Sequence, residues 1–301
     1  MLRRELLLGT AAALTAVTRG VTATRVERRP GTRYKLGLNA YSFNRELMDG
    51  SMSLDEVIDF CAEHSVDGVD VTGYYFRGYP NVPSDETIYK LKRMAFLNGV
   101  TISGTGVRND FALTDASSRR GHIALVKDWV GVTQKLGADV LRVFSGREVA
   151  KGSSFEQTLE WMVPAFQDCA DYAGEHGVIL GLQHHHDFLK TADETLRLVE
   201  AVGSPWFQVL LDVGSLRTHD VYEEIERLTP FACTWQIKEE VWYGEEPKRI
   251  DLVRLKTIVD RTGYRGFLPV EALGRDADLA SRKERVARFC PRCARPFYPP
   301  E

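Results

Sequence analysis

The amino-acid sequence predicts an α/β protein of one domain, folded as a closed (β/α)8 TIM barrel. Three observations carry that expectation. From Lys35 onward, eight short apolar runs alternate with longer amphipathic ones, the pattern of parallel strands joined by crossover helices. No Gly-x-Gly-x-x-Gly turn follows the first run and no Gly-x-x-x-x-Gly-Lys-Ser/Thr phosphate loop occurs, which disfavours an open nucleotide-binding sheet. The 301 residues contain no low-complexity linker and no internal repeat, so one barrel of about 250 residues is a simpler account than two ordinary domains.

Each element has its own local reason. Residues 36–41 make the first expected strand, and Ser53-Leu54-Asp55-Glu56 after it has the Ser-x-x-Glu spacing that lets a hydroxyl and a carboxylate cap a helix start reciprocally. Residues 68–71 form the second strand, with a helix beginning near Ser84 behind Pro83. Residues 100–103 form the third, followed by a long helix over 117–136. The fourth strand is 140–144, and Ser153-Ser154-Phe155-Glu156 caps the helix behind it. The fifth is 177–183, with Thr191-Ala192-Asp193-Glu194 repeating the capping-box spacing. Strands six, seven and eight fall at 207–212, 234–238 and 267–271.

Composition narrows the function. Hydrophobic residues at 44% and charged residues at 27% are near globular averages and exclude a disordered chain. Lys+Arg at 39 against Asp+Glu at 42, a net charge of -3, leaves no basic excess for nucleic acid. Five cysteines in a chain this long are not a disulfide scaffold. Cys61, Cys169 and Cys233 sit in apolar patterns and read as small core residues. Cys290-Pro291-Arg292-Cys293 is half a zinc ribbon with no second pair, hence a disulfide or a chance pair in a tail spanning 290–301.

The first residues read as an address. Arg3-Arg4-Glu5 precede an apolar run from Leu6 through Val17 and the small-residue site Val21-Thr22-Ala23. The run is too short to span a bilayer easily, and the paired arginines resemble a twin-arginine export signal. The expected organisation is therefore a signal over 1–23 cleaved after Ala23, a short linker over 24–34, a barrel over 35–289 and the tail, with the mature chain in the periplasm and without a membrane span. A homo-oligomer stays open.

In a (β/α)8 barrel the chemistry lies where strands end and βα loops begin. Those positions are Asn39-Ala40-Tyr41, Asp70 to Tyr75, Arg108-Asn109-Asp110-Phe111, Arg142, Gln183-His184-His185-His186, Asp212, Gln236-Ile237-Lys238-Glu239-Glu240 and Glu271. Carboxylates, amides, imidazoles and cations on one rim suit a polar ligand, and Tyr41, Tyr74, Tyr75 and Trp242 offer flat apolar surface for a sugar ring. Arg108, Asn109 and Arg142 join Tyr41, Tyr74 and Trp242 as expected substrate-binding residues.

Gly-Leu-Gln-His-His-His (181–186), Leu-Leu-Asp-Val-Gly (210–214), Trp-Gln-Ile-Lys (235–238) and Gly-Tyr-Arg-Gly-Phe-Leu-Pro-Val-Glu (263–271) resemble the sugar phosphate isomerase/epimerase family, within the xylose isomerase-like TIM barrel superfamily that also includes endonuclease IV. The resemblance runs from about Lys35 to Leu273. It implies a small-molecule sugar substrate and a divalent metal (Mn, Mg, Co or Zn) held by Glu, Asp, His and Glu on strands five to eight. Carried over by position, these ligands are Gln183, Asp212, Gln236 and Glu271, so two match and two do not. The sixth-strand motif often continues to a histidine, where this chain has Ser215.

The departures matter because an amide oxygen coordinates a hard cation without a carboxylate's charge, and Gln236 lacks the imidazole nitrogen that suits a borderline metal. Three alternatives follow. A metal binds through Asp212, Glu271 and the two amides, with His185, which alternation puts on the face of Gln183, replacing a lost ligand or base. Or no metal binds and Lys238, on the face of Gln236, supplies the charge by polarising a carbonyl or by forming a Schiff base if its pKa is depressed, the plain alternative being a lysine that only pairs with Glu271 or Glu239. Or the barrel binds sugar without turning it over. The reaction the resemblance implies is proton abstraction next to a carbonyl, in an isomerase or a keto-sugar or glycoside lyase, with Glu271, His185 and Lys238 as catalytic residues. A nuclease of the same superfamily fits poorly with the net negative charge.

Overall fold

Eight parallel strands close into the barrel that the alternation predicts. A computed structural model of the protein describes residues 25–28, 33–149, 151–185, 188–274 and 276–297. The barrel strands are β1 (Arg33–Asn39), β2 (Gly68–Asp70), β3 (Thr101–Gly106), β4 (Val140–Phe144), β5 (Ile179–Gln183), β6 (Phe207–Asp212), β7 (Ala232–Lys238) and β10 (Arg265–Glu271). They follow one another as β1-β10-β7-β6-β5-β4-β3-β2, and β1 pairs with β2 to close the ring. A two-stranded antiparallel hairpin, β8 (Glu240–Tyr243) and β9 (Glu246–Arg249), stands apart from the barrel. The helices are α1 (Asn44–Asp49), α2 (Leu54–Glu63), α3 (Asp85–Leu97), α4 (Ala116–Leu136), α5 (Phe155–Glu175), α6 (Ala192–Val202), α7 (Val221–Leu228), α8 (Leu252–Thr262) and α9 (Leu279–Phe297). Among the described residues no helix is long and apolar enough to cross a membrane.

Strand alternation sorts side chains between the helix layer and the barrel interior. On β7, Trp235 and Ile237 belong to the buried apolar core, and Trp235 packs on Tyr264 with ring centroids 5.5 Å apart. Gln236 and Lys238 take the opposite face by alternation. The register then matters for the site, because Asp212 of β6 pairs with Gln236, and Glu271 of β10 pairs with Lys238. Two rungs of polar side chains therefore stack at the C-terminal end of adjacent strands.

Away from the strand ends that carry the site, the segment 25–28 packs against the start of β7. The Arg28 guanidinium donates to the carbonyls of Thr229 (3.2 Å) and Ala232 (2.6 Å) and lies 4.9 Å from the Tyr264 ring centroid. Part of the expected linker over 24–34 is thus packed against the barrel. The expected signal over 1–23 lies outside the described residues.

Helix starts follow the capping chemistry with one shift. The boxes at Ser53/Glu56 and Thr191/Glu194 form as the spacing predicts. For α5 the box is Ser154/Gln157, one residue later than the expected Ser153 and Glu156. Both registers offer a hydroxyl and a partner, but the later one frees Glu156 to pair with Arg197 at 3.1 Å and lets Phe155 stack on Phe188, with centroids 5.1 Å apart.

At the C-terminus α9 runs through the expected start of the tail at 290. Val286, Phe289 and Cys290 are buried together on its inner face, and Cys290 is a free thiol. The disulfide alternative for Cys290 is thereby corrected: an amphipathic helix has turned this residue into the core.

Candidate functional site

A cavity of about 800 Å³ opens at the C-terminal ends of the barrel strands. Arg142, Gln183, Gln236, Lys238 and Glu271 lie at its base, Tyr41, Tyr74 and Phe144 form walls, and Arg108, Arg147 and Glu148 stand exposed at the mouth. The base is a connected network. The Lys238 ammonium pairs with Glu271 Oε1 and lies 3.6 Å from Asp212 Oδ2. The Gln183 amide nitrogen donates to Asp212 Oδ2 at 2.7 Å, and the Ser215 hydroxyl donates to the same oxygen at 2.9 Å. The backbone N–H of Gly214 occupies the other oxygen, Oδ1, at 3.0 Å.

Behind this cluster, Arg142 is fully buried and fixes the amide of Gln183. Its guanidinium donates to Gln183 Oε1, Thr72 Oγ1 and the Tyr74 hydroxyl, each at 3.3 Å, and its Nε lies 3.8 Å from Asp70 Oδ2. Asp70 in turn accepts from the Thr72 backbone and hydroxyl at 2.8 and 3.0 Å. Two glycines make this packing possible. A Cβ at Gly106 would come within 2.7 Å of the Arg142 guanidinium, and a Cβ at Gly214 within 2.5 Å of Lys238 Cγ.

The electrostatics split the two carboxylates. Burial favours the neutral form of both, but Lys238 and His184 outweigh it at Asp212 and hold that carboxyl below its usual range. At Glu271 burial wins over Lys238, and Asp212 adds to it, so this carboxyl titrates higher than usual. Burial opposes the charge of Lys238, yet Asp212 and Glu271 together raise its pKa. The lysine is therefore an ammonium, which corrects the Schiff-base alternative that required a depressed pKa. Of the two partners expected for it, Glu271 holds it, while Glu239 pairs with Arg285 at 2.6 Å.

The expected site residues divide by position. Tyr41, Tyr74, Arg108, Asn109, Arg142, Gln183, His185, Gln236, Lys238 and Glu271 all line the cavity. Tyr41 and Tyr74 meet edge to face at 6.4 Å, and Arg108 stacks 4.0 Å from the Tyr74 centroid. Asn109 spends its amide on the backbone of Phe144, donating at 2.6 Å and accepting at 2.8 Å, so it also ties the third loop to the end of β4. His185 stands edge to face with Phe144 at 6.1 Å. His184 takes the other face, where its Nε2 accepts from the Asp212 backbone at 3.1 Å. His186 lies outside the described residues.

Trp242 is a correction. It sits on the β8–β9 hairpin under Arg217, 4.3 Å from its ring centroid, and does not line the cavity. Tyr75 also turns away, its hydroxyl donating to Asn44 at 2.9 Å. Conversely, Arg147 and Glu148, just past the end of β4, line the cavity and follow the same strand-end rule that found Arg142. His122 enters from α4, where no sequence signal marked it.

The geometry can be set beside known proteins. The family model described as xylose isomerase-like TIM barrel matches residues 58–290. The chain belongs to the xylose isomerase-like TIM barrel family. No curated protein matches this family member by sequence. Among solved structures, D-psicose 3-epimerase with D-tagatose from Clostridium cellulolyticum H10 superposes with a TM-score of 0.71 at 18% identity, covering 86% of this chain and 98% of that one. L-ribulose 3-epimerase gives 0.68 at 15% identity, covering 88% and 96%. The IOLI protein with a binding zinc atom gives 0.71 at 15% identity, covering 87% and 96%. These likenesses are of fold.

The donor set of this xylose isomerase-like barrel does not fit a resident divalent ion. The expected convergence of oxygens from Gln183, Asp212, Gln236 and Glu271 on one metal is replaced by a different arrangement. Gln183 turns its nitrogen toward Asp212 and gives its oxygen to Arg142, and an ammonium stands beside Asp212 and Glu271. Among the described residues no three His, Cys, Asp or Glu side chains gather as a metal site. Gln236 Oε1 is buried and has no hydrogen-bond partner among the described residues, which makes it a spare acceptor for a ligand hydroxyl.

Proposed function

We propose that this protein is an enzyme that acts on a small-molecule carbohydrate by moving a proton next to a carbonyl, as an isomerase or a keto-sugar or glycoside lyase in the periplasm. The observation that carries the proposal is the split carboxylate pair, Glu271 lining the cavity with its pKa raised and Asp212 buried behind it and held ionised. Neighbouring groups with pKa values pushed apart take different acid–base roles. Glu271 is the base. It takes a proton from the carbon beside the carbonyl, and the electron pair moves onto the carbonyl oxygen to give an enediolate-like species. Isomerisation returns that proton to the neighbouring carbon while the hydroxyl proton passes to the former carbonyl oxygen, and elimination collapses the enediolate and expels a β-oxygen that leaves with the proton taken up by Glu271.

The rest of the cavity suits that substrate. Tyr41 and Tyr74 present ring surface and edges to a sugar face, and Gln236 Oε1 is an open acceptor for a hydroxyl. Lys238 and Arg142 supply the positive charge next to a developing oxyanion. Gln183 stands where the family resemblance places a second carboxylate. One retained base favours a one-base reaction over a two-base epimerisation, and it also keeps a non-catalytic sugar-binding barrel as the second reading.

The test is proton exchange. The purified protein is incubated in heavy water with a panel of keto-sugars and oxidised, keto-bearing glycosides, and exchange at the carbon beside the carbonyl is followed by NMR. At least one sugar should exchange, and Glu271→Gln should slow exchange by about 10²–10⁴-fold. Equal exchange by wild type and variant removes Glu271 from its role. Saturable sugar binding without exchange establishes the binder instead.

A further inference from the structure

The network at the base of the barrel has a charge balance of its own. The resemblance places three carboxylates, one imidazole and a divalent ion at this position, which leaves one net negative charge. Here two carboxylates, two amides and one ammonium occupy it, and the balance is again one net negative charge. Replacing a carboxylate by Gln183 and adding Lys238 changes the side-chain charge by as much as the ion would.

We propose that the Lys238 ammonium is the resident cation of this barrel, standing beside Asp212 and Glu271 in place of a divalent ion, so that the site receives substrate oxygens without binding metal. The inference rests on the reading of this cluster as the reacting site, while its test does not depend on any sugar.

The geometry is specific to a lysine. The ammonium reaches both carboxylates from the next rung of β7, since Lys238 pairs in register with Glu271 and Gln236 with Asp212. Its stem runs past Gly214, where any side chain would collide with Lys238 Cγ. The oxygen of Asp212 that faces the lysine already accepts from Gln183 and Ser215, and its other oxygen accepts from the Gly214 backbone. A divalent ion there would have to displace these donors and sit beside two fixed cations, Lys238 and Arg142. Asp70, beside Arg142, is engaged by that guanidinium and by Thr72. Ser215, where the family motif often has histidine, donates to Asp212 and supplies no imidazole.

The role left to Lys238 is that of an electrophile. Its ammonium has three donors. With one on Glu271 and one toward Asp212, the third is available to a carbonyl or hydroxyl oxygen arriving from the cavity, which Lys238 lines.

The experiment is a Mn²⁺ titration of the full-length, EDTA-treated protein by calorimetry, beside Lys238→Met and Lys238→Ala, with circular dichroism confirming that each variant is folded. Wild type should show no saturable site tighter than about 1 mM. A folded variant should gain one Mn²⁺ site at least about tenfold tighter, because the repulsion is gone and Glu271 has lost its ammonium partner. Wild type taking up one Mn²⁺ as tightly as the variants overturns the proposal, as does a folded variant that gains nothing. If neither variant folds, the wild-type titration alone decides: no saturable site upholds the proposal, and a saturable site overturns it. A protein that exchanges no sugar proton and still rejects Mn²⁺ fails the functional proposal and keeps this one.

Discussion

Gly214→Ala adds one methyl group, and its consequence can be worked from the contacts. The new Cβ would lie 2.5 Å from Lys238 Cγ, 3.0 Å from Lys238 Cβ and 3.3 Å from the Glu240 carbonyl oxygen. Reaching an ordinary 3.4 Å contact requires the lysine stem to retreat by about 0.9 Å. The clash is with the root of the side chain, not its flexible end, and the stem is held at its tip by Asp212 and Glu271. Overpacking of this kind costs about 1–3 kcal/mol, and each kcal/mol lowers Tm by about 2–4 °C in a protein near this size.

The assay is urea denaturation followed by circular dichroism, with Gly121→Ala as the control. Gly121 lies in α4 with nothing within 4 Å of its new Cβ, so that substitution should stabilise by about 0.5–1 kcal/mol. A double-mutant cycle with Lys238→Ala isolates the contact and should give a coupling of about 1 kcal/mol or more. If Gly214→Ala is as stable as wild type, or the two changes are additive, Lys238 is not gripped by this glycine. The placement argued for its ammonium then loses its support.

Two further outcomes follow from the same buried network. Arg142→Met keeps the volume but strands Asp70, which is 6% exposed, so unfolding free energy should fall by about 3–5 kcal/mol. Asp70→Asn in the same background should recover part of it, and no loss in the single variant would show that Arg142 is not the partner of Asp70. His184 is held down to about 4 by burial, while the unfolded chain takes up that proton near the ordinary 6.5. Stability should therefore fall as pH drops from 6.5 to 4, by about 3 kcal/mol, and level off below. His184→Gln, which keeps an acceptor for the Asp212 backbone, should flatten that slope in pH-dependent melts, and an unchanged slope would locate the titration elsewhere.

The barrel was legible because its signals are local and repeated. Eight apolar runs and three capping boxes need only neighbouring residues, and the boxes at Ser53 and Thr191 form where the spacing puts them. The α5 start slipped by one because Ser153 and Ser154 both satisfy the same local rule, and the choice is made by distant partners, Arg197 and Phe188. The β8–β9 hairpin was within reach of sequence: Gly244 has φ +61° in the two-residue connection Gly244-Glu245, a turn signal of the kind that joins antiparallel strands. Against that signal, Glu239 and Glu240 directly beyond β7 have the polar character of a strand end running into a loop. The hairpin carries Trp242 away from the cavity.

The site was legible to the level of strand ends and no further. The strand-end rule found most of the residues that line the cavity, since alternation and register decide which side chains face inward. It could not say which end of the Gln183 amide faces Asp212. That depends on Arg142, one strand away on β4, and Arg142 fits only because Gly106 on β3 leaves room for its guanidinium.

This dependence gives Arg142 a different part from the one expected of it. Its three hydrogen bonds go to Gln183, Thr72 and Tyr74, so it acts on a ligand chiefly through the groups it orients. With Gln183 Oε1 taken by a permanent cation, the amide must turn its N–H toward Asp212, and the second ligand position becomes a donor. Restoring a carboxylate at 183 alone would place two anions at the 2.7 Å separation now bridged by a hydrogen bond, with Lys238 still beside them. An ion site could not be rebuilt by that change singly. Gln183, Gln236, Ser215 and Lys238 form one electrostatic solution, and each makes sense only with the others in place.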